Sequence, residues 1–172
     1  MAFRSRSFRI DNRLGKYFIN GTDQTETVSA LSDKARGCFT TNTGQSTLTT
    51  SYSIMNIGTE NYATSGDFTL SGSRVTVNKS GLFLITYNLT TDCTAGSART
   101  ESQAYLYKNG SAVQGTFGGM YNRIVDRGLS HCGASIILDV TDGDIFDVRA
   151  LKTGTDTVLQ AQNGIQLTFV EL

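Results

Sequence analysis

His131 is the only histidine of this 172-residue chain, so any Ser–His–Asp or Cys–His chemistry would have to run through it. It stands in Ser130-His131-Cys132, within a run that alternates as a strand, and sequence neighbours on a strand point to opposite faces. Cys132 is therefore not placed to be activated by His131, and a strand-edge histidine without a catalytic part is the expectation. Asp139, Asp142, Asp144 and Asp147 form an acidic cluster that could hold Ca²⁺ through carboxylate oxygens. The same D-x-x-D-G-D pattern is also the ordinary sequence of a turn capped by Asx side chains, and both readings stay open. Gly115–Arg123 (GTFGGMYNR) is glycine-rich, but no helix pattern follows it, so no phosphate cradle is expected. GxGxxG, P-loop and HExxH patterns are absent from the sequence. The expectation is a chain without catalytic residues, bound metal or cofactor, and not an enzyme.

The residues that remain suit contact. Phe117, Met120 and Tyr121 sit among the glycines of that same stretch. They would either line an interface between subunits, where glycine lets strands approach closely, or fill the core. Arg4, Arg6, Arg9, Arg13 and Lys16 face Asp11 alone in the first sixteen residues, a net +4 in a chain whose total is zero. Phe3 and Phe8 are interleaved with these charges, which suits docking onto protein better than onto phosphate. Phe3, Arg4, Arg6, Phe8, Arg9 and Arg13 are the expected docking residues, and nucleic acid is not the expected partner.

The elements that must position these residues are strands. Hydrophobic content is only 38%, and Thr, Ser, Asn and Gly make up the difference, as on the solvent side of strands. Eighteen glycines and no proline mean that turns are built on positive φ. Alternation and turn punctuation predict strands at Cys38–Thr41, Thr47–Ile54, Phe68–Leu70, Arg74–Val77, Leu82–Thr91, Gln103–Tyr107, Val113–Arg123, Leu129–Val140, Ile145–Leu151 and Ile165–Glu171. Residues 1–35 read as a basic-aromatic arm with one short strand near Lys16–Ile19, and 36–172 as the compact domain. In GLFLITYNL both faces are apolar: Phe83, Ile85, Tyr87 and Leu89 on one, Leu82 and Leu84 on the other. A sandwich covers one face of such a strand, so a neighbouring subunit is expected over Leu82 and Leu84.

Four segments carry a family likeness: Asn78–Tyr87 (NKSGLFLITY), Leu106–Gly110 (LYKNG), Ala134–Val140 followed by Asp142-Gly143-Asp144, and the closing Leu167–Leu172 (LTFVEL). In this order they resemble the C1q/tumour-necrosis-factor-like jelly roll, over about residues 38–172. Asn109-Gly110 is itself a type I′ turn signal. The resemblance implies an all-β, two-sheet antiparallel sandwich that forms homotrimers. It also implies that Leu82–Thr91 runs antiparallel beside Leu129–Val140. Pairing Gly81 with about Thr141 then puts Cys93 and Cys132 on opposite faces; a one-residue slip would bring them to the same face. Free thiols are expected at Cys38, Cys93 and Cys132, an odd number with no CxxC spacing.

The setting follows from what the chain lacks and adds. No apolar run of signal-peptide or membrane-spanning length follows Met1, and no collagen-like segment precedes the domain. The expectation is a virion structural protein made in the host cytoplasm: a head decoration, fibre tip or spike. It would trimerise, dock on a capsid or other virion protein, and present a head to a host receptor or glycan, without membrane insertion. Two alternatives are a single-jelly-roll capsid protein and a secreted C1q/TNF-like ligand. The sequons at Asn20, Asn78, Asn88 and Asn109 would matter only to the last.

Overall fold

The computed structural model describes residues 33–41, 46–95, 100–122 and 129–172, with only the backbone at 159 and 161–163, together with the backbone of 8–11, 16–19 and 22–23. The chain divides into two compact units, Met1–Lys34 and Ala35–Leu172. In the first, β1 (Phe8–Asp11), β2 (Lys16–Ile19) and β3 (Thr22–Asp23) form an antiparallel sheet with β2 in the middle. The short strand expected at Lys16–Ile19 thus has a partner on each side.

The second unit runs β4 (Arg36–Thr40), β5 (Ser53–Ile54), β6 (Thr59–Ala63), β7 (Phe68–Ser71), β8 (Arg74–Val77) and β9 (Gly81–Ala95). It continues with β10 (Thr100–Lys108), β11 (Ser111–Ala112), β12 (Gly118–Asn122), β13 (Ser130–Val140), β14 (Asp144–Lys152) and β15 (Thr157–Glu171). Sheet I has the order β13-β9-β15-β4-β6; sheet II has the order β11-β10-β14-β8-β7, with β12 also on β10 and β5 on β14. Every pairing is antiparallel, and no helix occurs among the described residues.

The period-2 faces fall as the sequence predicts. Phe83, Ile85, Tyr87 and Leu89 of β9, Val75 and Val77 of β8, and Ile165, Leu167 and Phe169 of β15 are all buried between the sheets. At one end of the core, Phe169 packs against Phe39, Phe68 and Phe146 with ring centroids 5.4–6.1 Å apart. At the other end the core turns polar. Ser102 donates to Asn122 Oδ1 at 2.8 Å, and the Asn122 amide donates to Thr91 Oγ1 at 3.1 Å. These buried groups satisfy one another, as burial requires.

Differences from the expected strands have local causes. Thr47–Ile54 is strand only at Ser53–Ile54, because the segment crosses from one sheet to the other: Leu48 N–H bonds to Val158 of sheet I and Met55 N–H to Val148 of sheet II. Val113–Arg123 is strand only at Gly118–Asn122 among the described residues, after a turn at Gly115, whose φ is +84°. Thr59–Ala63 (TENYA) was not expected; it is an edge strand with mostly exposed residues, so no alternation marks it.

Two turns lock together. Asn109 and Gly110 take φ of 51° and 81°, closing the two-residue hairpin between Lys108 and Ser111. Asn109 then reaches the neighbouring turn: its amide donates to Asp144 Oδ1 at 2.7 Å, and its Oδ1 accepts from Ile145 N–H at 2.8 Å. Lys108 Nζ lies 2.8 Å from the other oxygen of Asp144, which also accepts the Thr141 N–H.

Candidate functional site

The groups that could have done chemistry are held apart. His131 is exposed on the outer face of sheet I, with Nδ1 3.1 Å from Thr90 Oγ1, while Cys132 faces the core. Burial pushes the Cys132 thiol up to about 11, against a hydrogen bond from Tyr87 that lowers it; burial likewise raises Cys93. Both are protonated near neutral pH, and neither is a nucleophile.

The observed register differs by one residue from the expected one: Gly81 pairs with Val140 and Cys132 with Leu89. Cys93 and Cys132 therefore share a face, a correction to the opposite-face placement. Cys93 lies four positions beyond Leu89, about 13 Å along the strand, whereas bridged Cα atoms lie within about 7 Å. All three cysteines are free.

The carboxylates are also divided. Asp147 is engaged by Arg149 at 2.7 Å and Arg74 at 3.4 Å, while Asp144 is held by Lys108 and the two turns. Asp139 and Asp142 are exposed. Burial raises the Asp144 carboxyl, but Lys108, the Thr141 N–H and Asn109 outweigh it and hold the group below its ordinary value. The Asp144 side chain thus braces its turn by accepting the Thr141 N–H three residues earlier, and no group of three or more metal-ligating side chains occurs among the described residues.

The five residues picked for a subunit interface do not form one surface. Leu82 and Leu84 lie on the outer face of sheet I, in its interior strand β9. Register puts Leu84 between Ile137 of β13 and Val170 of β15, an aliphatic row across three strands. Leu82 is 44% exposed and Ile137 55%. Beyond the row the face is polar: Thr86 and Ser135 hydroxyls meet at 2.9 Å.

Phe117 and Tyr121 stand instead on the outer face of sheet II, 52% and 45% exposed. Met120, one strand position from Tyr121, points the other way and is 5% exposed within the core. It fills the sandwich and has almost no surface left for a partner, which corrects its place in the expected interface. Phe117 packs on Tyr105 with centroids 5.3 Å apart, and Tyr105 meets Tyr52 at 5.8 Å. Gly118, between Phe117 and Gly119, faces inward, where a Cβ would come 2.6 Å from Cys132 Sγ; only glycine lets β12 lie this close.

Of the expected docking residues, Phe3, Arg4, Arg6 and Arg13 lie outside the described residues. Phe8 and Arg9 are on β1, opposite Ile19 and Phe18 of β2.

No protein-family model and no curated protein sequence matches this chain. Solved structures do. Murine APRIL superposes with a TM-score of 0.57 at 11% identity, covering 81% of this chain and 100% of that one. The Eiger TNF of S. frugiperda gives 0.54 at 16% identity, covering 81% and 92%. The globular domain of zebrafish complement 1qA gives 0.52 at 9% identity, covering 81% and 98%. The fold is the TNF and C1q jelly roll. At these identities the likeness is one of fold, and it agrees with the architecture that the turn and strand motifs implied.

Sequence reasoning found Leu82 and Leu84 but missed Ile137 and Val170, which join them only through register. It also missed Glu101, Gln103 and Gly119, which with Phe117 and Tyr121 line a cavity of about 260 Å³. The signal was present in the alternation of Phe117-Gly118-Gly119-Met120-Tyr121, which sets two rings on either side of a glycine.

Proposed function

We propose that the protein is a non-enzymatic binding module that assembles as a homotrimer through the outer face of sheet I. The observation that carries this is the row Ile137–Leu84–Val170, aliphatic side chains on the solvent side of an interior strand. Apolar surface in such a place is the mark of an interface. A threefold ring needs two different surfaces that fit each other. The second is the β13 edge, where Ile136 and Leu138 are only partly buried against the core. A neighbour's edge laid over the Leu84 row would cover both.

The wider role we propose is that of a virion structural component, a decoration, fibre tip or spike head. The net +4 of the first sixteen residues and its interleaved aromatics support a segment that docks on a capsid protein. A secreted ligand of the TNF or C1q type has the same fold behind it. That reading is equally consistent with the fold, with glycans at sequons other than Asn109, whose amide nitrogen holds Asp144, and Asn78, whose own holds Gly66 and Thr69. Glycans at either sequon would break those turns.

The native mass of the full chain tests the assembly. A value three times 18.6 kDa is expected, and a monomer at micromolar concentration sinks it. Reversing Arg4, Arg6, Arg9 and Arg13 to Glu tests the setting: the trimer should persist while incorporation into particles is lost. Undiminished incorporation removes the docking role.

A further inference from the structure

The cavity lined by Phe117, Gly119, Tyr121, Glu101 and Gln103, with Ser102 and Met120, is an open slot with two aromatic residues in its lining. Phe117, Gly119 and Tyr121 point outward in turn along β12. Because Gly119 carries no side chain, the ring of Phe117 leans across it: a Cβ there would lie 3.6 Å from Phe117 Cε1. Tyr121, the next outward residue, stands about 7 Å further along the strand. The absent side chain of Gly119 thus leaves open surface between the two outward-facing aromatic residues.

The polar groups lie on the adjacent strand. Register sets Glu101 opposite Tyr121 and Gln103 opposite Gly119, so a carboxylate and an amide border the same slot. Gln103 Oε1 already accepts from the Tyr52 hydroxyl at 3.1 Å, which fixes its amide plane. An ionised carboxylate only accepts hydrogen bonds, so the ligand must bring donors to it. At about 260 Å³ the site is smaller than the roughly 300–1,000 Å³ of drug-sized pockets.

We infer that this slot binds a single pyranose ring of a neutral sugar. A pyranose has apolar C–H faces for Phe117 and Tyr121 and carries hydroxyl donors around its rim for Glu101 and Gln103. A nucleotide base would bring phosphate towards Glu101, and a phenyl ring offers that carboxylate nothing. A quaternary ammonium group offers Gln103 no hydrogen bond. This goes beyond the assembly proposed above by naming the ligand class. The lining residues named here all belong to one subunit, so either proposal can fail without the other.

The test is saturation-transfer NMR and calorimetry on the full chain with methyl β-glucopyranoside, methyl β-galactopyranoside and N-acetylglucosamine, each alone. Adenosine and tetramethylammonium serve as competitors of other shapes. At least one sugar should bind saturably, with its ring C–H protons receiving the saturation. Gly119→Val should fill the slot and abolish binding with Tm and native mass unchanged, since the backbone there is ordinary strand. Phe117→Leu should weaken binding about tenfold, the loss of one aromatic contact. Failure of all three sugars, equal binding by Gly119→Val, or saturable binding of adenosine or tetramethylammonium in their place would falsify the assignment.

Discussion

On the outer face of sheet I the exposed apolar atoms belong to aliphatic side chains lying in one cross-strand row, Ile137, Leu84 and Val170. On the outer face of sheet II they belong to the rings Phe117 and Tyr121, set apart by Gly119, with Glu101 and Gln103 alongside. The first surface has no depth and no hydrogen-bonding groups within the row. Only another extended surface can cover it. The second has a gap and donors and acceptors at its border, so a small solute can be held there without a second protein. The lesson is that exposed apolar area has no single meaning: continuity points to a macromolecular partner, interruption to a ligand.

Both faces depend on the core between them, and the largest effect should come from there. Phe169→Ala removes the ring that touches Phe39, Phe68 and Phe146 and should cost about 3–5 kcal/mol. Denaturant melts should show it, and assembly and sugar binding should weaken together. If only one of them falls, the two faces are less coupled than a shared core implies.

Leu84→Asp should separate the faces. A charge in the aliphatic row has no partner and must be desolvated by any covering subunit. The native mass should fall to that of one chain while sugar binding is unchanged. A trimer that persists would place the contact elsewhere.

Asp144→Asn should have the smallest effect, about 1.5–3 kcal/mol at neutral pH, the range for hydrogen bonds to a charged group. Its sign with pH is fixed. The folded-state carboxyl is held below its ordinary value, so its stabilisation is present above the unfolded pKa near 3.9 and is lost as pH falls through the folded value. The parent protein's Tm should drop across that acid range, and the variant's should drop less. Equal acid slopes would mean that Lys108 and the two turns do not bias Asp144.

The parts of the fold visible in the sequence are those with a two-residue period and a turn residue at each end. Arg74–Val77 and Ser130–Val140 are of this kind, and so is the Asn109-Gly110 hairpin. Thr59–Ala63 was invisible because an edge strand with both faces in solvent has no reason to alternate. The candidate sites were half visible. Leu82 and Leu84 could be picked from a doubly apolar strand, but Ile137 and Glu101 enter through pairing with residues 53 and 20 positions away in sequence. Pairing of that range is set by tertiary register, and a slip of one residue was enough to misplace Cys93 relative to Cys132.

Glu171, next to the end of the chain, accepts the Ala35 N–H at 2.7 Å and lies 2.8 Å from Lys79 Nζ. Ala35 is the first residue of the jelly-roll unit, and β4 runs antiparallel to β15 from that point. Tension applied between the two ends of the unit would therefore fall first on this pair of strands at their closed end. The rungs would open one at a time, as a zipper does, and would not share the load as they would in shear. A head tethered through its N-terminal side alone carries no such tension, whereas one gripped at both ends would peel from Glu171 inward.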